Sequence, residues 1–293
     1  MAHETTKKLL KRRELAPNKK LGQNFLVHEH TPKRIVDLAG LHPEDRVIEV
    51  GVGLGALTRP LAAAVAKVVG LEADSGIVRL HQEQQDLPAN VELRHADVLK
   101  TDLASLVESG TRLKIVANLP YSISSPFLFR LIDHADIMDF AVVMLQKEVA
   151  RRLMAEPGTK EYGVPTVLFA ACAEIRPLLA VSPAEFHPRP KVDSLVIRIG
   201  FHPMPQRAQA LGDFDRKLLA RIVHAAFGQR RKTLLNGLGN AGLVADKQEL
   251  IRRIEAAGID PSVRAETLKV EDFVLLSRAL APPPTSPDHL HPL

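Results

Sequence analysis

Between about Asp45 and Gln146 the chain alternates short apolar runs of β type with helical stretches, and few folds accommodate that rhythm. Arg46–Val50, Val68–Leu71, Val91–Leu93, Leu113–Ala117 and Phe140–Leu145 read as strands. Ala56–Ala66, a stretch near Ile77–Gln85, and Ser125–Ile132 read as helices. Apolar strands separated by helices suit a parallel sheet covered on both faces. The expected architecture is a doubly wound α/β sheet, in which ligands bind beyond the carboxyl ends of the strands.

The pattern changes after Gln146. Val164–Ala173 and Leu195–Ile199 still read as strands, with a proline-rich turn from Pro183 to Pro190 between them. Pro203 and Pro205 mark a boundary, and Asp215–Phe227, Lys247–Ala257 and Val270–Leu280 then carry helical patterning. The expected organisation is a basic segment over 1–34, a sheet domain over 35–204 and a small helical domain over 205–281. A proline-rich tail over 282–293 lacks an apolar face and is expected to be disordered.

Composition limits the class of protein. The 293 residues suffice for two packed domains, and no uncharged apolar run reaches the roughly 18 residues of a membrane span. Met1 to Lys20 has no stretch resembling a signal peptide, and the one cysteine, Cys172, excludes an internal disulfide. A reducing, cytoplasmic setting is expected. Charge is unevenly distributed. Residues 1–34 carry nine Lys/Arg against three acids, a net of +6, and residues 186–232 carry ten against three, a net of +7. With +5 overall, the remainder holds −8. Two basic segments on an acidic body suit a nucleic acid partner. Within the second segment, Arg230, Arg231 and Lys232 are consecutive and suit a phosphate backbone better than a single base.

The first long strand runs into Glu49-Val50-Gly51-Val52-Gly53-Leu54-Gly55, where glycines permit positive φ and close approach of a ligand. Gly51, Gly53 and Ala56 also satisfy a dinucleotide fingerprint. Glu72 ends the second strand about twenty residues later, where a carboxylate accepts ribose hydroxyls. Asp97 follows the third strand, placed to accept from an adenine amino group. Glu49 tips the balance between ligands. An acid ahead of the glycines would oppose a pyrophosphate but attract the ammonium and sulfonium of S-adenosylmethionine, so a dinucleotide is kept only as the rival.

Asn118-Leu119-Pro120-Tyr121 follows the fourth strand and resembles the signature of methyltransferases that act on the exocyclic amine of adenine. The lone pair of that nitrogen is delocalised into the ring. Acceptors at its two hydrogens localise the pair, and the Asn118 amide oxygen and the Leu119 carbonyl suit that task. Pro120 fixes the turn, and Tyr121 can stack on an adenine rotated out of its helix. Cys172 sits in an apolar run and reads as a core residue, which argues against thiolate-dependent methylation of a ring carbon. His28-Glu29-His30 lacks a third ligand at suitable spacing and reads as a solvated turn, so no metal is expected.

Three further segments extend the resemblance: Leu21-Gly22-Gln23-Asn24-Phe25-Leu26, Glu185-Phe186-His187-Pro188-Arg189-Pro190-Lys191-Val192-Asp193-Ser194, and Phe227-Gly228-Gln229-Arg230-Arg231-Lys232-Thr233-Leu234. Together they look like the ribosomal RNA adenine dimethyltransferases that modify two adjacent adenines near the end of 16S RNA. The resemblance implies a Rossmann-like class I methyltransferase domain with S-adenosylmethionine as cofactor, followed by a helical RNA-binding domain. It also implies a monomer acting on 16S ribosomal RNA in a small-subunit precursor. Residue by residue, Asn24 and Leu26 would contact the cofactor, and Gly51 with Gly53 would lie against it. Glu72 would hold its ribose, Asp97 its adenine, and Asn118 would bridge cofactor and target. Phe186 would close over the target base opposite Tyr121. Ala96 departs from the family, which commonly has glycine there. The macrolide-resistance methyltransferases of 23S RNA share the cofactor motifs and the Asn-Pro-Tyr segment, and a non-catalytic assembly factor on the same fold is the third reading. Arg230-Arg231-Lys232 and Gly258-Ile259-Asp260-Pro261 fit the small-subunit enzymes better, and intact Glu72, Asp97 and Asn118 argue for catalysis.

Overall fold

A computed structural model of the chain describes residues 23–229 and 231–282. The chain divides into two compact units. One comprises residues up to Met154 together with Cys172–Ala208; the other comprises Ala155–Ala171 and the residues from Gln209 onward.

The first unit is built on seven strands in the order β4-β3-β2-β5-β6-β9-β7. These are β2 (Arg46–Val50), β3 (Lys67–Glu72), β4 (Val91–His95), β5 (Leu113–Asn118), β6 (Met138–Gln146), β7 (Glu174–Val181) and β9 (Ser194–Gly200). The first five in that order pair in parallel, and β9 runs antiparallel to both β6 and β7. Chain order reverses between β2 and β5, which is the switch point where such sheets bind ligands. Strands β1 (Phe25–Leu26) and β8 (Phe186–His187) form a separate antiparallel pair, with Leu26 opposite Phe186. The helices are α1 (His30–Ala39), α2 (Thr58–Ala64), α3 (Ser75–Gln84), α4 (Ser124–Asp133) and α5 (Lys147–Leu153).

Side chains alternate across a strand, so Val47, Val68, Val116 and Phe140 fall on one face of the sheet. There they join Ile35, Val36 and Ala39 of α1 and Leu61 and Ala62 of α2 in one buried cluster. By the same alternation Glu49 shares the face of Val47, and it is fully buried.

The expected strand over Val164–Ala173 is instead a helix, α6 (Val164–Ala170), followed by a turn. A ten-residue apolar run does not discriminate a buried strand from a buried helix by periodicity. Gly163 as N-cap and Pro165 in the first turn decide it, because proline's missing N–H is no loss there. The true strand, β7, begins only at Glu174 and was hidden by its composition. Most of its residues are exposed or half-buried, and Pro177 sits at a bulge, as an edge strand permits.

The second unit is helical, containing α6 with α8 (Arg216–Phe227), α9 (Leu234–Gly239), α10 (Lys247–Ala256) and α11 (Val270–Ala279), while the short α7 (Gln206–Ala210) spans the division. Its core includes the stacked rings of Phe227 and Phe273, 5.8 Å apart, with Tyr162 edge-on to Phe227. The Tyr162 hydroxyl donates to the Leu268 carbonyl at 2.9 Å. Cys172, the chain's one cysteine, is buried. Among the described residues no helix is long and apolar enough to cross a membrane.

Candidate active site

Strand β2 ends where the chain turns through left-handed backbone at Gly51, Gly53 and Gly55, with φ of 79°, 53° and 78°. Other residues rarely adopt such angles. A Cβ on Gly51 would come within 3.7 Å of the Asn118 carbonyl oxygen and 3.8 Å of Pro120 Cδ, so the turn after β2 lies close to the turn after β5. A cavity opens along these strand ends. Its lining includes Asn24, Leu26, Gly51, Gly53, Glu72, Asp97, Asn118, Leu119 and Pro120. Nine of the expected site residues, from five separate stretches of sequence, therefore share one hollow.

Glu72, the last residue of β3, is 5% exposed. Its Oε2 accepts from the Gly53 N–H at 2.9 Å and its Oε1 from the Asp74 N–H at 2.8 Å. Burial nevertheless raises its carboxyl above the usual range, opposed by those N–H donors. Each oxygen keeps a further lone pair for a hydroxyl. Asp74 caps α3 by accepting from Gly76 N–H at 2.9 Å, and its other oxygen accepts from the Gln23 amide at 3.1 Å. Gln23 is a tie that sequence motifs did not reveal. Asp97 accepts from the Leu99 N–H at 2.9 Å, which fixes its carboxylate in the turn after β4.

Asn118 closes β5, and its Nδ2 donates to the Asn24 carbonyl at 3.2 Å. That bond assigns the amide's orientation and makes Oδ1 the atom open to another donor. Pro120 stops the strand, and a 3-10 turn over Tyr121–Ile123 leads into α4. Tyr121 and Phe186 do not line the cavity. The Tyr121 hydroxyl lies 2.7 Å from Ser194 Oγ, and Ser194 is fully buried. Burial pushes the phenol's pKa up, so it is a neutral hydroxyl at ordinary pH. Phe186 is 4% exposed and packs in the sheet's core cluster with Leu26.

Glu49, expected to attract the cofactor's cationic groups, is fully buried and set apart from the cavity lining. Among the described residues neither carboxylate oxygen has a partner at ordinary hydrogen-bond geometry, and burial pushes its pKa up to about 8, opposed by the Thr58 hydroxyl nearby. Its burial thus favours the neutral form.

His28 and His30 stack 5.7 Å apart, with Glu185 Oε2 at 3.1 Å and 3.5 Å from their nearest nitrogens. Among the described residues no group of three or more His, Cys, Asp or Glu could hold a metal. Arg231 and Lys232 are exposed in the turn between α8 and α9, and Arg230 lies outside the described residues.

The family model for ribosomal RNA adenine dimethylases matches residues 15–281. The chain belongs to that family. It is 50% identical over 277 residues to Ribosomal RNA small subunit methyltransferase A of Desulfotalea psychrophila, covering 92% of both chains. The protein of the same name from Geobacter metallireducens is 45% identical over 265 residues, covering 89% of this chain and 94% of the relative. Among solved structures, a dimethyladenosine transferase from Plasmodium falciparum superposes with a TM-score of 0.70 at 26% identity, over 86% of this chain and 95% of that one. The 23S rRNA methyltransferase ErmE gives 0.61 at 25% identity, over 87% and 99%. The fold is thus the Rossmann-like class I methyltransferase sheet, and the family is one of rRNA methyltransferases.

Proposed function

We propose that the chain transfers methyl groups from S-adenosylmethionine to the exocyclic amines of two adjacent adenosines near the 3′ end of 16S ribosomal RNA, in a small-subunit precursor. One observation carries this reading. At the switch point, a glycine turn and a buried acceptor, Glu72, meet Asn118, Leu119 and Pro120 in a single cavity, with Tyr121 next in the chain. Relatives at 45–50% identity bear the name of small-subunit rRNA methyltransferases and support the choice of target.

The residues fit S-adenosylmethionine. Glu72 would accept its ribose hydroxyls, Asp97 its adenine amine, and Gly51 and Gly53 would let the backbone lie against it, with Asn24 and Leu26 as the opposite wall. Bound there, the cofactor supplies an electrophilic methyl group on a positively charged sulfur. The chain's own groups prepare the acceptor. Asn118 Oδ1 and the Leu119 carbonyl accept the two amine hydrogens, drawing the nitrogen lone pair out of conjugation and orienting it. Tyr121 offers its ring to the flipped base, held by the bond to Ser194. Phe186 acts on the site through its pairing with Leu26, which holds the Asn24 wall in place. Arg230, Arg231 and Lys232 contact phosphates and position the RNA.

Small-subunit particles lacking the modification, incubated with the protein and labelled S-adenosylmethionine, test the proposal. Mass mapping should find methyl groups on two adjacent adenosines of 16S RNA. Label confined to 23S RNA would move the target to that of the macrolide-resistance enzymes, and no label would leave only a binding protein.

A further inference from the structure

We infer that Asp86, His81 and Arg59 form a clamp, buried at His81, that holds the glycine turn from behind, and that they are positioning residues for S-adenosylmethionine. This rests on the cofactor reading above. Nothing in the sequence motifs points to these three residues.

The geometry converges on one carboxylate. Asp86 Oδ1 lies 2.7 Å from His81 Nδ1, and Asp86 Oδ2 accepts from Arg59 Nη2 at 2.6 Å. Each of those partners then reaches the turn. His81 Nε2 lies 2.8 Å from the Gly53 carbonyl oxygen, and Arg59 Nη1 donates to the Leu54 carbonyl at 2.9 Å. Two consecutive carbonyls of the turn are therefore held by two side chains that share Asp86. The His81 ring thus bridges the Asp86 carboxylate and the Gly53 carbonyl, one ring nitrogen facing each.

The clamp's place explains how it acts. Gly53 is held at both ends, its carbonyl by His81 and its N–H by Glu72 Oε2 at 2.9 Å. The orientation of the proposed ribose acceptor is thereby tied to the clamp through one residue. Arg59 runs beneath Gly55, where a Cβ would stand only 2.5 Å from Nη1. His81 is 4% exposed, at the last turn of α3. The next turn is closed by Gln85, the only described non-glycine residue with left-handed backbone, at φ 48°. Such a conformation is unfavourable for a residue with a side chain and persists where its surroundings over-determine it. Here it brings Asp86 under the turn. Beyond it, the Asn90 amide donates to the Ala62 and Val65 carbonyls at 2.8 and 3.0 Å, so the segment after α3 ties both ends of α2. Groups behind a binding loop that fix its ligands contribute to affinity without touching the ligand.

The test separates cofactor affinity from turnover. Calorimetry with S-adenosylmethionine on the wild type comes first; absence of binding there would refute the cofactor reading itself. Given binding, Asp86→Ala should weaken it about tenfold, the scale of a lost charged hydrogen bond. At saturating cofactor, kcat and the KM for RNA should stay within about twofold of wild type. His81→Leu should match Asp86→Ala. His81→Gln, whose amide nitrogen reaches as far as Nε2 and still donates to Gly53, should recover most of the affinity. The double variant Asp86→Ala with His81→Leu should be little weaker than either alone, because they act as one unit. Arg59→Gln, at a partly exposed site, carries the same measurement should Asp86→Ala fail to fold. Unchanged affinity in folded Asp86→Ala or Arg59→Gln would overturn the clamp. So would equal losses in kcat and RNA KM with no rescue by His81→Gln, which would mark a merely structural network.

Discussion

The cavity at the strand ends and the basic turn at Gln229–Lys232 are both parts of the proposed machinery, yet they are made differently. In the cavity every acidic or amide group is held by a neighbour: Glu72 by two backbone N–H groups, Asp97 by one, Asn118 by the Asn24 carbonyl. At the turn, Arg231 and Lys232 project from the surface. A held group cannot be moved without loss, so the cavity encodes geometry. Exposed cations act by summed charge in high dielectric, so the turn encodes attraction. Substitutions in the first should be specific in what they abolish, and substitutions in the second graded and sensitive to salt.

The sharpest break of this contrast is at Asn118. Asn118→Ala should lower the rate of methyl transfer about 10²-fold or more while leaving RNA affinity nearly intact, since its oxygen acts on the reacting nitrogen. Single-turnover rates beside RNA binding curves check this, and parallel losses in both would make Asn118 a docking residue. Glu72→Ala should weaken S-adenosylmethionine binding at least tenfold, because charged hydrogen bonds of this kind contribute about 1.5–3 kcal/mol. Burial raises the Glu72 carboxyl, so its ionised, accepting form is lost at higher pH than for an ordinary glutamate. Cofactor affinity measured by calorimetry should therefore fall on mild acidification, and the fall should be absent in Glu72→Gln.

The turn should respond more gently. Replacing Arg230, Arg231 and Lys232 by alanine should weaken RNA binding and flatten the slope of log affinity against log salt by up to about 3. S-adenosylmethionine affinity should not change. An unaltered slope would move the RNA surface to the basic N-terminal segment.

Glu49 yields a smaller effect, on stability alone. Its folded pKa, about 8, stands above the unfolded value of 4.5, so the folded state holds the proton more tightly. Its contribution is then fully present below about pH 4.5 and is lost as pH rises through about 8. Glu49→Gln should raise the Tm relative to wild type at alkaline pH, with the difference shrinking toward acid. A difference independent of pH would mean that the carboxyl is already ionised in the folded state.

Much of the sheet was legible because its strands are short apolar runs at regular intervals, and because glycines and single acids mark their ends. The cavity followed from those ends. What escaped was decided by tertiary partners. Glu49 reads as an anion in sequence, but alternation along β2 points it into the buried layer of Val47. The resemblance places Phe186 over the target base, and nothing local in the sequence shows that it pairs with Leu26 and is buried. Val164–Ala173 reads as a strand until the helix-starting value of Gly163-Val164-Pro165 is weighed. Ser194 and Gln23 bond to groups remote in sequence, 73 and 51 residues away, which no local pattern can show.

The two-residue pairing of β1 with β8 has a consequence for how the molecule breathes. It delivers Asn24 to the cavity with very few backbone bonds, helped by side-chain ties such as that from Thr31 to Glu185 at 2.7 Å, across 154 residues of chain. Small non-local contacts of this kind form late and open first, since they recover little free energy for a long loop closure. This wall of the hollow is therefore the part expected to open before the seven-stranded sheet does.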